Sequence, residues 1–316
     1  MHIVLNSFLL LLGFVLLVQG AKVFVDSSVG IAKYLKIPTM VIGLTVVAMG
    51  TSAPEVVISV SAALGGSSNL AIANAVGSNL FNQLFVVGLC AMIYPISIRI
   101  LKISRDYWVS VAATIVLFVL AIIFAGAEVP RFGGFIFIAG FTVYMFIVLR
   151  HALKNRTDEE AREETTKAKP LWKNIVLVII SIAVIVGAGQ LTVLSAKNIA
   201  SVLGVSERVI GLTIVSVGTS LPELVTTLIA CRKKEGEFAL GFIIGSSIFN
   251  IMFVLGLAGF IMPLVVEYNV IFDIAVLLAG TLAFFLYAKS GQKLVRFEGM
   301  LMTLMYVGYI GFVILM

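Results

Sequence analysis

Ten apolar runs, each long enough to cross a lipid bilayer, constrain this chain more than any other feature of its sequence. They lie near residues 3–24, 38–63, 70–94, 107–126, 133–150, 174–195, 208–231, 238–262, 270–288 and 297–316. A helix of about 20 apolar residues spans the hydrocarbon core of a membrane. Charged residues make up only 12% of the chain, against about a quarter in soluble domains. We therefore predict an all-α membrane protein with ten transmembrane helices.

The basic residues set the predicted orientation of these spans. The net charge is +6, but the Lys and Arg side chains fall in short loops between apolar runs, which does not indicate a nucleic acid partner. With the N-terminus outside, 18 of the 22 basic residues lie in inner loops and 3 in outer loops, and Lys22 lies near the end of the first span. Short loops rich in Lys and Arg stay on the cytoplasmic side. We expect both termini outside the cell.

A polar stretch at residues 151–173 divides the chain into two halves, residues 1–150 and residues 174–316. Its mixed charges predict an exposed linker, which the orientation above places in the cytoplasm. The two cysteines, Cys90 and Cys231, have neither a metal-ligand spacing nor a disulfide pattern, so we interpret both as packing residues.

The two halves are related by an internal repeat at an offset of 168 residues. Residues 41–60 match residues 209–228 at twelve of twenty positions, and residues 76–95 match residues 244–263 at ten of twenty. Each half contains five predicted spans, and an odd number makes the second copy enter the membrane from the opposite side. Inverted repeats are a common transporter architecture, with the substrate site near the bilayer midplane where the repeats meet. The pattern therefore favours transport by alternating access.

Two glutamates lie deep inside predicted spans, Glu55 in the second and Glu223 in the seventh, at matching positions of the repeat. An ionisable group at this depth costs several kcal/mol unless it is paired or hydrated, so it is a functional candidate. The apolar part of neither run carries a basic residue that could pair with them. A bound cation is the natural counter-charge.

Each glutamate ends a motif, GTSAPE at residues 50–55 and GTSLPE at residues 218–223. The proline before the glutamate lacks an amide hydrogen and clashes with the carbonyl of the preceding turn, so it frees backbone oxygens. Hydroxyl groups one turn before the glutamates add further oxygens, on Thr51, Ser52, Thr219 and Ser220. Oxygen ligands without His or Cys predict a hard cation such as Ca²⁺ or Na⁺. A proline-kinked packing helix is the alternative for either copy taken alone.

A second pair of motifs, GSNLFN at residues 77–82 and GSSIFN at residues 245–250, adds polar side chains at a spacing of four. These are Ser78 with Asn82, and Ser246 with Asn250. A spacing of four places each pair on one helix face, and Gly77 and Gly245 favour close approach of neighbouring helices. We expect these oxygens to join the same site, although each asparagine could instead bond across to a neighbouring helix.

Together, GTSAPE with GSNLFN and GTSLPE with GSSIFN resemble the two alpha-repeats of the sodium/calcium exchanger family, within the cation/calcium antiporter superfamily. The alpha-1 motif would cover residues 43–95 and the alpha-2 motif residues 211–263. The short linker resembles that of prokaryotic members, which lack a large regulatory insert. The resemblance implies electrogenic Na⁺/Ca²⁺ exchange that extrudes Ca²⁺ from a prokaryotic cell, without a cofactor and with membrane lipid, Na⁺ and Ca²⁺ as the only evident partners.

The resemblance also implies ligand sets. Glu55 and Glu223, with the backbone carbonyls of Thr51 and Thr219, would bind Ca²⁺. The sodium sites around it would be lined by the same glutamates, the carbonyls of Ala48 and Ser216, and the side chains of Ser52, Ser78, Asn82, Ser220, Ser246 and Asn250.

Alternative couplings remain open at this point. Potassium-dependent exchangers resemble this chain but typically have Asp at the position of Asn250, and proton/calcium antiporters generally have His where Val56 and Leu224 follow the glutamates. Both features favour sodium without excluding protons or potassium. A passive cation channel would show flux without a counter-ion. We do not predict an enzyme, because the spans contain no nucleophile and base pair.

Overall fold

The computed structural model of the chain describes residues 2–97, 100–154, 170–204, 216–291 and 293–315, and these are almost entirely helical. Six helices are uninterrupted, and none of their apolar runs contains proline. They are α1 (His2–Leu35), α7 (Ile100–Ile123), α8 (Arg131–Lys154), α9 (Leu171–Val202), α14 (Tyr268–Gly291) and α15 (Arg296–Leu315). Their outward faces carry many exposed large apolar side chains, for example Leu11, Phe146 and Ile179. Such faces suit contact with lipid, which accepts apolar side chains that water does not.

The predicted second span is a helix broken at Ser52. It consists of α2 (Thr39–Ile42), a π-helical segment π1 (Gly43–Val47), α3 (Ala48–Thr51) and α4 (Ala53–Leu64). The bend between its two parts is 48°, and it lies just before Pro54, whose ring and missing amide hydrogen prevent a continuous helix.

The predicted seventh span has the same break. Its described part consists of α10 (Ser216–Thr219) and α11 (Leu221–Arg232), separated at Ser220. Residues 205–215, which include the start of the alpha-2 motif and of the matched block 209–228, lie outside the described residues.

The third and eighth predicted spans each contain a π-helical segment. In the first half, α5 (Ser68–Leu80) continues through π2 (Phe81–Val86) into α6 (Val87–Ile93). In the second half, α12 (Gly236–Ile248) continues through π3 (Phe249–Leu255) into α13 (Gly256–Ile261). Both π segments begin at equivalent positions of the 168-residue repeat, and π-helical turns occur frequently at functional sites.

Two short antiparallel sheets tie the halves together. Strand β1 (Ile96–Ser97) pairs with β4 (Lys293–Leu294), and β2 (Glu128–Val129) pairs with β3 (Leu264–Val265). In each sheet, one strand directly follows a π-containing helix of one half. The other strand lies between the last two helices of the other half.

The helices of the two halves approach most closely at glycines. A Cβ built on Gly43 would lie 2.5 Å from the carbonyl oxygen of Phe238, and one on Gly245 would contact the carbonyl of Leu44. Only glycine fits at these positions, so α12 packs directly on the backbone of π1 and is almost wholly buried. For Gly77, which corresponds to Gly245, nothing among the described residues lies within 4 Å of a built Cβ. The residue that corresponds to Leu44 is residue 212, which lies outside the described residues.

By length and composition, six helices among the described residues are able to span a membrane, or seven if the pair broken at Ser52 is one span. The described parts of the predicted seventh, ninth and tenth spans are mainly helical but do not enter this count. The chain is thus an all-helical membrane protein, and the ten-span plan stays a prediction. The linker's predicted ends are helical, since α8 extends to Lys154 and α9 begins at Leu171, and residues 155–169 lie outside the described residues. Both cysteines are buried and free.

Candidate ion-binding site

Glu55 and Glu223 lie on the first turn of α4 and α11, directly after the breaks at Ser52 and Ser220. Each side chain is only 1% exposed. The breaks position the two glutamates, because a new helix starts at each break and its first turn faces the neighbouring helices. The two carboxylates of the sequence motif are thus both in the interior.

Four serines connect the halves around the two carboxylates. Ser52 donates to Glu223 Oε1 at 3.3 Å and lies 2.7 Å from Ser246 Oγ. On the other side, Ser78 donates to Glu55 Oε1 at 3.4 Å, and Ser220 donates to Ser78 Oγ at 3.3 Å.

The two serine–serine contacts obey the 168-residue offset, since Ser52 corresponds to Ser220 and Ser78 to Ser246. Each break serine therefore reaches across to the opposite half. The serine–glutamate bonds differ, because Glu223 accepts from Ser52 of the other half and Glu55 accepts from Ser78 of its own half. The four serines and two glutamates form two hydrogen-bonded groups, Glu223 with Ser52 and Ser246, and Glu55 with Ser78 and Ser220. Each group contains residues of both halves, and we call the six residues together the central ring.

Several buried oxygens in and beside the central ring have no hydrogen-bond partner among the described residues. They are Glu55 Oε2, Glu223 Oε2, Asn250 Oδ1, Asn82 Oδ1 and Thr226 Oγ1. A buried polar atom without a partner costs about 1–3 kcal/mol, and a buried charge costs more. Among the described residues, neither glutamate has an ion-pair partner. A bound cation would supply the counter-charge that the two carboxylates lack.

The remaining predicted ligands lie on the turn before each break. Ala48 and Thr51 are fully buried. The Ala48 carbonyl accepts the amide hydrogen of Ser52 at 3.1 Å, and Thr51 Oγ1 donates to the Val47 carbonyl at 3.1 Å. The Thr51 hydroxyl thus donates within its own helix, and the Thr51 carbonyl is a further oxygen on this turn. Ser216 and Thr219 lie on α10, at the matching positions.

The two predicted asparagines differ. Asn250, on π3, donates from Nδ2 to Asn79 Oδ1 at 3.1 Å and keeps Oδ1 unpaired. Asn82, on π2, has no partner for either side-chain atom among the described residues. Asn250 therefore bonds to a neighbouring helix through its Nδ2 atom, as the alternative interpretation expected. The side-chain oxygens of both asparagines have no partner among the described residues.

Several polar residues beside the central ring were not predicted from the sequence. Asn74 donates to the Glu55 carbonyl at 3.2 Å, and Thr227 Oγ1 donates to the Glu223 carbonyl at 2.7 Å. Asn79 and Gln83 contact the backbone and side chain of Ser247. Two signals in the sequence could have identified these residues. Asn79 lies inside the GSNLFN motif, and all four residues are polar positions within apolar spans.

The arrangement suits a dehydrated hard cation. Carboxylate, hydroxyl, amide and carbonyl oxygens are the ligands that Ca²⁺ takes, in sets of six to eight. The site combines two formal negative charges with neutral oxygens from both halves, and it lies where broken and π-helical segments meet. Irregular backbone at membrane depth is tolerated only where it is buried in protein or lines a cavity.

Comparison with known proteins gives a consistent result. The family model described as sodium/calcium exchanger protein matches residues 5–150 and 173–315. The putative antiporter CaxA of Alkalimonas amylolytica is 37% identical over 307 residues, covering 95% of each chain. The sodium/calcium exchanger MaX1 of Methanosarcina acetivorans is 33% identical, with 98% of each chain covered. The solved structure of the sodium-calcium exchanger NCX_Mj soaked with zero Na⁺ and Ca²⁺ has a TM-score of 0.84 and 33% identity, covering 98% of this chain and 99% of that one.

Proposed function

Because the chain belongs to the sodium/calcium exchanger family, a family of membrane cation/Ca²⁺ antiporters rather than enzymes, we propose that it exchanges Na⁺ for Ca²⁺ across a prokaryotic cell membrane. The observation that carries the proposal is the central ring. Two buried carboxylates, one from each half, each accept a hydrogen bond from a serine and each keep one oxygen that has no partner among the described residues. Exchange would be electrogenic, with Na⁺ entry driving Ca²⁺ out.

The architecture proposed for this function is ten spans in two inverted repeats of five. Residues 1–150 would form the first repeat, residues 174–316 the second, and residues 151–173 a cytoplasmic linker, with both termini outside. Three observations support it: the breaks at Ser52 and Ser220, the two π segments at matching positions, and the two sheets that each join one half to the other.

The proposed Ca²⁺ ligands are the carboxylates of Glu55 and Glu223 and the carbonyls of Thr51 and Thr219. Na⁺ would use the wider set of neutral oxygens. These are the carbonyls of Ala48 and Ser216 and the side chains of Ser52, Ser78, Asn82, Ser220, Ser246 and Asn250, shared with the two glutamates. Two negative charges balance one Ca²⁺, and several Na⁺ ions distributed over this set carry a different total charge. That difference is the basis of the proposed electrogenic exchange.

The buried carboxylates also explain why transport would be coupled. An uncompensated charge in the membrane interior is costly, so the empty site crosses the barrier between the two sides slowly. A site filled by either ion is compensated and crosses easily. Each turnover therefore carries one ion out and the other in, which distinguishes an antiporter from a channel.

Helix packing supports alternating access between two states. Helix α1 lies along α11, whereas α9 has no comparable packing against α4, the matching helix of the other half. In an inverted repeat, a change in which α1 leaves α11 and α9 packs along α4 would open the site to one side of the membrane and close it to the other. We infer that α1 and α9 move together relative to the helices that hold the central ring.

The test is ion-coupled flux in proteoliposomes that contain the purified protein. Vesicles loaded with Na⁺ and diluted into Na⁺-free medium with ⁴⁵Ca²⁺ should accumulate Ca²⁺, and vesicles without a Na⁺ gradient should not. An inside-positive potential, set with K⁺ and valinomycin, should change the uptake rate if exchange is electrogenic. The arms without an imposed potential are repeated with a protonophore and, separately, without K⁺.

The outcomes separate the alternatives. Uptake that follows a pH gradient and ignores Na⁺ would assign the chain to proton/calcium exchange. Uptake that requires K⁺ on the Ca²⁺ side would make it a potassium-dependent exchanger, contrary to the expectation from Asn250. Calcium flux that needs no counter-ion would replace the antiporter with a channel.

A further inference from the structure

A clamp between Asn79 and Asn250 holds one amide of the ion site in a single orientation. Asn79 and Asn250 are both fully buried. Asn79 Nδ2 donates to the Ser247 carbonyl at 3.1 Å, and Asn79 Oδ1 accepts from Asn250 Nδ2 at 3.1 Å. Both polar atoms of Asn79 are thereby used, one on the backbone of α12 and one on the side chain of π3.

The direction of the second bond matters for a cation. An asparagine amide has an oxygen that attracts a cation and an NH₂ group that repels it, and the two ends exchange when the side chain rotates by half a turn. Since Asn79 Oδ1 can only accept, it binds the NH₂ end of Asn250. The oxygen of Asn250 is left unpaired and buried, facing away from the clamp.

Among the described residues, the other half has no such clamp. The residue that corresponds to Asn79 is Ser247, and the residue that corresponds to Asn250 is Asn82. The Ser247 hydroxyl donates to the Ile243 carbonyl at 2.9 Å and accepts from Gln83 Nε2 at 3.0 Å. Asn82 has no partner for either side-chain atom among the described residues. One amide is therefore held by a hydrogen bond, and the matching amide is not.

We propose that Asn79 is a positioning residue that makes Asn250 a pre-oriented oxygen ligand for Na⁺, while Asn82 supplies an adjustable one. The inference rests on the proposed function. Asn79 does not itself touch the ion: it acts by keeping the NH₂ group of Asn250 turned away. Without the clamp, the amide of Asn250 must be ordered each time Na⁺ binds, and part of the binding free energy is lost.

The test is the Na⁺ and Ca²⁺ dependence of exchange in the variant Asn79→Ala. The half-maximal Na⁺ concentration should rise roughly two- to tenfold, the range that one hydrogen bond of this kind supplies, and the half-maximal Ca²⁺ concentration should change less than twofold. Asn198→Ala is the matched control. Asn198 is an exposed asparagine that is hydrogen-bonded to Asn6, so its removal should change neither value.

Two further backgrounds separate positioning from a general loss of structure. In Asn250→Ala the orientation of residue 250 no longer matters, so adding Asn79→Ala should produce no further change in Na⁺ dependence. In Asn250→Asp either carboxylate oxygen is a suitable ligand, and the contact with Asn79 Oδ1 becomes a repulsion between two acceptors, so Asn79→Ala should no longer raise the half-maximal Na⁺ concentration. Additive effects in these double variants would overturn the proposal, as would equal losses of Na⁺ and Ca²⁺ affinity.

Equilibrium measurements keep the test decisive if the variant is unstable. Asn79→Leu preserves the volume at this position, and the rise in melting temperature that added Na⁺ or Ca²⁺ causes in detergent reports ion binding without transport. A wild-type protein whose Ca²⁺ flux ignores Na⁺ contradicts the proposed function. A wild-type protein with Na⁺ coupling, together with an Asn79 variant of unchanged Na⁺ dependence, contradicts only the positioning role.

Discussion

The two halves of the molecule hold equivalent glutamates by different means. In the first half, Asn74 on α5 donates to the Glu55 carbonyl and to Ser59 Oγ at 2.9 Å, so α4 is tied to a neighbouring helix. In the second half, the residue that matches Asn74 is Phe242, which is fully buried. The Glu223 carbonyl instead accepts from Thr227, on its own helix.

The difference teaches that duplication preserved the oxygens of the central ring but not their support. The serine bonds across the halves occur in both copies, whereas the hydrogen bonds behind them do not. The second half uses apolar packing, since α12 is buried on almost every side. The side chains that would contact ions are thus the same in both halves, whereas the residues that support them differ.

Replacing the glutamates tests the symmetric part of this comparison and should have the largest effect. Glu55→Gln and Glu223→Gln each remove one of two charges that would balance Ca²⁺ in a medium of low dielectric constant. That loss is worth several kcal/mol, so we expect Na⁺-driven ⁴⁵Ca²⁺ uptake to fall at least about 100-fold in either variant. Both proteins should still insert and elute as folded protein on size exclusion.

Glu128→Gln is the control for this prediction, because Glu128 is an exposed glutamate on β2. It should retain exchange. Near-normal transport in only one of the two buried variants would show that the halves are not equivalent at the ion. Near-normal transport in both would remove the central ring as the ion site.

The sequence was sufficient to predict the symmetric part of the site but not its support. Glu55 and Glu223 stood out because an acid in an apolar run has few explanations, and the proline beside each predicted the helix breaks. The pairing of Ser52 with Ser246 depends on how the halves dock, which no local pattern contains. The spacing argument for Ser78 and Asn82 assumed a regular α-helix, yet Asn82 lies on π2, where i→i+5 bonding changes the register.

The span count shows a related limit of the sequence. The starts of α1, α8 and α9 were predicted to within about three residues, but α1 continues to Leu35 and α9 to Val202, beyond the predicted ends at residues 24 and 195. Hydropathy does not show where a helix changes from α to π, so π1, π2 and π3 were not predicted. Nor did it show the strand pairing of Ile96 with Leu294, because that contact joins segments far apart in the chain.

Removing the two supporting bonds tests the divergent part of the comparison. Asn74→Ala deletes donors to two different partners on α4, so it should lower the free energy of unfolding by about 1–3 kcal/mol. Thr227→Ala deletes one bond within a single helix turn and should cost about 1 kcal/mol or less. Thermal unfolding in detergent, without Ca²⁺ or Na⁺, measures both.

The order of these two effects is the informative result. A larger loss for Thr227→Ala would mean that α11 depends on its own hydrogen bond more than α4 depends on α5, contrary to the packing described above. Asn198→Ala again serves as the control, because it removes an asparagine hydrogen bond on the exposed surface.

The smallest effect concerns the contact between α1 and α11, which the other half does not repeat. Lys233, at the end of α11, pairs with Asp26 and donates to the Lys22 carbonyl at 3.3 Å, both on α1. Its matching residue in the first half is Gly65, which has no side chain to form such a link. Lys233→Gln should therefore weaken closure on this side only. The pair is partly exposed and worth at most about 1 kcal/mol, a shift of up to about fivefold between the two states.

Cys231 reports that shift, because it is buried two residues before Lys233 and lines a cavity of about 280 Å³ with Tyr94, Ile96 and Lys234. Labelling of Cys231 by a membrane-impermeant maleimide, in a Cys90→Ala background, should be up to about fivefold faster in Lys233→Gln. Lys234→Gln removes the adjacent charge and should leave the rate unchanged. Equal acceleration by both variants would assign the effect to surface charge rather than to the α1 contact, and the packing difference between the halves would then carry no energetic bias.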